Sequence, residues 1–206
     1  LLLFLATSSL TGFAQKNKKT ATKAAAAKSV VLLAQDNISA EYMNKKLWVY
    51  QTVDGKKDTL FTKLLSTQIT KENLVMRPFK AGTKNLYYFN WTEDISSKKD
   101  LITETGAVVG TVIFDLENKV KLVDNIDKNL HIAEIHYLSK HKDASETIEK
   151  KKREGAQCTL LANGDITLSN KNATTKWVYN ATENKYVAEQ PKSTGKQNTS
   201  TTKKKR

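Results

Sequence analysis

Cysteine is almost missing from this chain. Cys158 stands alone, so no intramolecular disulfide forms, and a fold made outside the cytoplasm must rely on its core rather than on staples. No cysteine follows the apolar N-terminus, which argues against a lipid-anchored lipoprotein. Long hydrophobic runs are missing too. Outside residues 1–14, no stretch approaches the roughly 20 apolar residues that a membrane helix needs, so no membrane span is expected. There is no Gly-x-Ser-x-Gly elbow and no Gly-x-Gly-x-x-Gly phosphate loop. The usual marks of a serine hydrolase or a dinucleotide enzyme are therefore absent, and no cofactor is expected. Histidine is scarce, at His131, His136 and His141. Hydrophobic residues make up 39% of the 206 positions, below the globular share of about 45–50%. A modest core with solvated ends fits that value.

What is present begins with residues 1–14. They form an apolar run that passes into small polar residues and ends with Gly12 and Ala14 in small-x-small spacing. This pattern predicts a secretory signal peptide cut after Ala14. The chain starts without Met or a basic segment, which reads as a leader whose beginning lies upstream. The expected location is secreted or periplasmic.

Charge is unevenly placed. Eleven of the 34 lysines and arginines fall in residues 16–28 and 192–206, where there is no acid; 23 basic residues then face 21 acidic ones over 29–191, and the net charge of +13 drops to +2 there. The body is nearly neutral, so no nucleic-acid-binding surface is expected. Lys-rich flanks of this kind can hold a protein near an anionic polymer or an envelope surface by weak, salt-sensitive attraction, or serve only as a linker and tail. The organisation read from these shifts is a signal-peptide remnant at 1–14, a Lys/Ala-rich linker at 15–35, a β domain at 36–190 and a basic tail at 191–206 without packed structure.

Within the body, β-branched and aromatic residues alternate with polar ones between turn residues. Residues 46–53 read as a strand that breaks at Asp54-Gly55, a pair suited to the positive φ of a tight hairpin. Further strands are expected at 57–65, 64–70, 74–79, 85–91, 101–104, 108–116, 119–123 and 131–139, with turns at Thr105-Gly106 and Glu117-Asn118. Residues 157–162 and 165–169, joined by Asn163-Gly164, form the clearest hairpin; 175–179 and 185–187 follow. The run at 30–34 fits either a first strand or an extension of a fluctuating helix through Ala24–Ala27 of the linker. Asp143 and Glu146 have capping-box spacing, and Gly155 can end a helix, so a short surface helix is expected over 144–154. The fold class is therefore mainly β: an antiparallel barrel or sandwich of meanders, roughly nine to eleven strands with one short surface helix.

Candidate sites are sparse. Trp48 with Tyr50, Tyr87 with Phe89 and Trp91, and Trp177 with Tyr179 each share one face of a strand. Such rows build cores, or else line a groove for a small apolar or sugar ligand. Trp48-Val-Tyr50 is echoed by Trp177-Val-Tyr179, a match too short to establish a repeat. Glu134 and His136 share a strand face from which His131 points away. They are two metal ligands where a zinc site needs three or four, so no metal is expected. Cys158 lies in an alternating strand beside Leu160, where a buried inert thiol is the ordinary outcome. Glu93, Asp94 and Glu117 are carboxylates without a recognisable partner. The expected function is a non-enzymatic binding or envelope-associated module. The alternatives are a secreted hydrolase with a non-standard site and an adhesion or matrix protein that acts through its basic tails.

Overall fold

The computed structural model describes residues 29–189. The signal-peptide remnant, most of the linker and the basic tail lie outside the described residues. Thirteen strands form three antiparallel sheets, and in each sheet every strand pairs with its neighbour in sequence. The first sheet holds β1 (Val30–Gln35), β2 (Ile38–Met43), β3 (Lys46–Val53) and β4 (Lys56–Leu64). The second holds β5 (Leu74–Ala81), β6 (Lys84–Lys99), β7 (Ile102–Asp115), β8 (Val120–Tyr137) and β9 (Ser145–Gly155). The third holds β10 (Gln157–Leu160), β11 (Ile166–Ser169), β12 (Thr174–Asn180) and β13 (Lys185–Ala188). No sheet closes on itself, so the architecture is the sandwich of meanders rather than the barrel.

Tight turns explain the meander order. Asn44 and Lys45 (φ 53° and 59°) join β2 to β3, and Asp54 and Gly55 (φ 50° and 74°) join β3 to β4. Positive φ at both central residues matches the twist of the strands they connect. The strand β1 occupies the last part of the stretch expected to be linker.

Alternation on β6 and β7 gives the second sheet two apolar faces. Phe89, Trp91, Val112 and Phe114 point to one side and pack with Leu32, Ile38, Leu47, Val49 and Phe61 of the first sheet and with Ile69 of the segment that follows it. Leu86 and Ile113 point to the other side and pack with Ile166 and Tyr186 of the third sheet. Gly110 serves the first core directly: a Cβ there would lie 2.0 Å from the Trp91 ring, so only glycine lets the indole lie flat across β7.

Three expectations need correction. Residues 144–154 are not a helix; Ser145–Gly155 is strand β9, paired along its length with β8. The segment has one apolar residue, Ile148, too little for a helical stripe, whereas as a strand its charges meet diagonal partners on β8. Lys150 Nζ lies 3.0 Å from Glu134, His131 Nε2 3.4 Å from Glu149 and Arg153 Nε 3.4 Å from Asp127. Asp143 accepts a bond from Ser139 in the preceding turn instead of capping a helix.

Thr105-Gly106 is not a turn either. Gly106 sits inside β7 at φ 146°, paired with Ile95 and Leu130. A Cβ there would come 2.2 Å from the Asn129 carbonyl oxygen, so the glycine permits close backbone approach and not reversal. The strands expected at 101–104 and 108–116 are thus one, as are those at 119–123 and 131–139. Finally, β4 ends at Leu64, and residues 65–70 form a crossing segment pinned by Leu65 (4% exposed) and Ile69 (1%).

Candidate functional site

The first sheet has an inner and an outer face, and β3 shows both. Leu47 and Val49 are fully buried against the core, while Trp48 and Tyr50 project outward and remain partly exposed. Their rings stack at 6.0 Å between centroids, 6° from parallel. Ammonium groups flank the pair: Lys46 Nζ is 5.8 Å from the Trp48 ring centre, and Lys57 Nζ is 5.2 Å from that of Tyr50. Register places Glu41 of β2 opposite Trp48.

Glu41 is only 5% exposed. It accepts bonds from Lys57 and, at 2.6 Å, from the Ser29 hydroxyl. Burial opposes its charge, but the Lys57 and Ser29 contacts outweigh it and hold the carboxyl below its ordinary pKa. Burial and the nearby Glu41 raise the Tyr50 hydroxyl. The Trp48 Nε1–H is buried without a hydrogen-bond partner among the described residues. Alongside runs an open groove of 460 Å³, whose walls include Val31, Ala34, Glu41, Thr52 and Lys57. A rigid aromatic pair beside a fixed carboxylate and two ammonium groups offers one apolar face with polar groups at its margin.

The other aromatic candidates lie elsewhere. Phe89 and Trp91 are inside the first core, with Tyr87 at its edge, where the Tyr87 hydroxyl donates to Asp36 at 2.8 Å. Burial and that bond push the Tyr87 pKa up to about 12. Trp177 and Tyr179 pack against the second core, Tyr179 5.5 Å from the Tyr186 ring. The three rows thus serve an outer face and two separate interiors and share no single cavity.

Glu134 and His136 do share a strand face, with His136 Nε2 3.1 Å from Glu134 Oε1, at the side of an open groove of 500 Å³. Lys150 occupies the other carboxylate oxygen at 3.0 Å. Bonds from Lys150 and then His136 lower the Glu134 pKa. Among the described residues, no three His, Cys, Asp or Glu side chains gather as a metal site would require. Burial pushes the Cys158 thiol up to about 11, the reverse of what an activated nucleophile needs.

Sequence reasoning passed over Glu41, since nothing local marks a carboxylate for burial; its partners are Ser29, just before β1, and Lys57 of β4. Glu93, noted only as a scattered acid, is 3% exposed and ties β6 to the crossing segment 65–70. It accepts from the Trp91 Nε1–H at 3.2 Å, the Ser66 amide at 2.5 Å and the Thr67 amide at 3.4 Å. Glu117 is exposed and pairs with Lys84 at 2.5 Å.

Comparison with protein-family models, with curated proteins and with solved structures finds no match. No helix among the described residues is long and apolar enough to cross a membrane.

Proposed function

We propose that this chain is an exported, non-enzymatic binding module that holds a carbohydrate on the outer face of its first sheet. The stacked Trp48–Tyr50 pair carries the reading. Rings of this kind give large apolar area at low conformational cost, and the C–H face of a sugar ring is a flat apolar surface of matching kind. Sugar hydroxyls can donate to Glu41 and accept from Lys46 and Lys57 at the margin. Export rests on residues 1–14, and the Lys-rich flanks supply salt-sensitive attraction to an anionic polymer or envelope surface.

Calorimetric titration of the full chain against oligosaccharides tests the proposal. Trp48→Ala and Tyr50→Ala are each expected to weaken binding about tenfold, the cost of losing an aromatic anchor, with the thermal midpoint retained. Saccharide affinity that is unchanged in both variants rejects the site, and preferential binding of oligonucleotides rejects the ligand class.

One observation favours the second reading, a hydrolase: Glu134 and His136 are paired in a groove. The lowered pKa of Glu134 keeps it ionised at neutral pH, so it could orient His136 as a base but not act as an acid. Turnover of chromogenic esters or glycosides that His136→Ala abolishes would establish that reading.

A further inference from the structure

A third concavity, of 340 Å³, lies on the far half of the second sheet beneath residues 65–70. Its floor is apolar: Ile95, Val108 (8% exposed) and Leu130 (3%). Its roof is fixed, because Glu93 accepts the Ser66 and Thr67 amides while Leu65 and Ile69 are buried on either side. The Thr67 hydroxyl is buried with no hydrogen-bond partner among the described residues. Glu104 and Lys128 also line the cavity. Both are half-buried, and neither forms an ion pair among the described residues. Lys152, whose field reaches Glu104, pairs with Glu154 at 2.8 Å, and Glu154 stands opposite Lys128 in register, its pKa lowered first by Lys152 and then by the charge of Lys128.

Register separates the two charges. Lys128 stands opposite Val108, four residues along β7 from Glu104, roughly 13 Å at about 3.3 Å per residue. Half-burying an ionic group without a close ion pair costs free energy that solvent and more distant charges only partly return. A cavity with a carboxylate at one end, an ammonium at the other and an apolar floor between them is complementary to a ligand of the opposite polarity.

We propose that this cavity binds a short extended peptide with free ends, its terminal ammonium at Glu104 and its terminal carboxylate at Lys128. Three extended residues span about 10 Å and four about 13 Å. Ser97 can meet the peptide backbone, and apolar side chains cover Val108 and Leu130. A fatty acid carries one charge and a neutral sugar none, so neither uses both ends of the site. The proposal is independent of the sugar site on the first sheet.

The test is calorimetric titration of the full chain with tri-leucine, N-acetyl-tri-leucine and tri-leucine amide. Each capped peptide is expected to bind about tenfold more weakly than the free one, since each loses one charge-assisted contact. Glu104→Gln should weaken tri-leucine about tenfold and leave N-acetyl-tri-leucine unchanged; Lys128→Met should do the same for the amide. Trp48→Ala should leave tri-leucine binding intact, which separates this site from the saccharide site. Equal affinity for capped and free peptides, no binding of any of the three, or an equal loss on both peptides in Glu104→Gln overturns the proposal. The capped-peptide comparison needs no variant, and matching thermal midpoints confirm that the variants are folded.

Discussion

The long strands β6, β7 and β8 lead two lives. Near Phe89, Val112 and Ile113, β6 and β7 are covered on both faces and those three side chains are fully buried, while β8 there has Leu122 and Val123 partly buried and Asp124 exposed. Further along, the same strands leave that sandwich and continue as a projecting sheet bordered by β9. There the side chains alternate between charged ladders and a thin apolar strip at Val108 and Leu130. The covered half is held by area removed from water, the projecting half by backbone ladders and diagonal charge pairs that contribute little each. Stability should therefore be unequal along a single strand, with the projecting half opening locally well below the global unfolding free energy.

The sharpest way to break this contrast is Gly110→Val. The new side chain meets the Trp91 ring in the covered half, and a loss of about 3–4 kcal/mol is expected from urea denaturation, or no folded protein at all. Asp115→Ala should come next. This fully buried carboxylate accepts two amides of the β7–β8 turn, the Asn118 side chain at 2.6 Å and the Asn184 side chain at 3.1 Å, so it joins two sheets. Its removal strands those donors, for a loss of about 2–3 kcal/mol.

The same residue has a signature in acid. Burial opposes charge on Asp115, but the Asn118 and Asn184 bonds prevail and hold its pKa below the ordinary value. Its stabilisation is then complete above the unfolded value of about 3.9 and lost as pH falls through the folded value. The wild-type thermal midpoint should drop below about pH 4, and the Asp115→Ala curve should be flatter there.

In the projecting half, Gly106→Ala forces a Cβ against the Asn129 carbonyl oxygen. The expected loss is smaller, about 1–2 kcal/mol, because this half can loosen alone. Hydrogen exchange should accelerate across β7–β8 there while the amides near Val112 keep their protection. The smallest effect belongs to Lys150→Ala, an exposed partner of Glu134, where the thermal midpoint should not move measurably. Should Gly106→Ala lower protection equally along the whole of β7, the two halves unfold as one unit and the contrast fails.

Local chemistry was legible and distant pairing was not. Asp54-Gly55 and Asn163-Gly164 turn the chain where their residue types require it, with Gly55 at φ 74° and Gly164 at φ 87°. The alternation that puts Trp48 and Tyr50 on one face of β3 was equally plain. The length of β7 was hidden, because Gly106 looks like punctuation until β6 and β8 are laid beside it. Residues 145–155 gave no apolar period at all; only the ladder with β8 makes them a strand. Even the echo between Trp48 and Trp177 divides this way. Both begin the aromatic pair of the third strand in a four-stranded meander, yet one faces outward and the other packs against a core. Glu41, Glu104 and Lys128 owe their surroundings to residues brought in by register, which no short window of sequence contains.

The border strand β9 leaves a row of backbone donors and acceptors open along eleven residues, a template on which another copy could extend the sheet. Its run of Lys150, Lys151, Lys152 and Arg153 sets cation against cation whenever two such borders align. Dissolved salt weakens that repulsion, so self-association through this border is discouraged most in dilute electrolyte and least in brine.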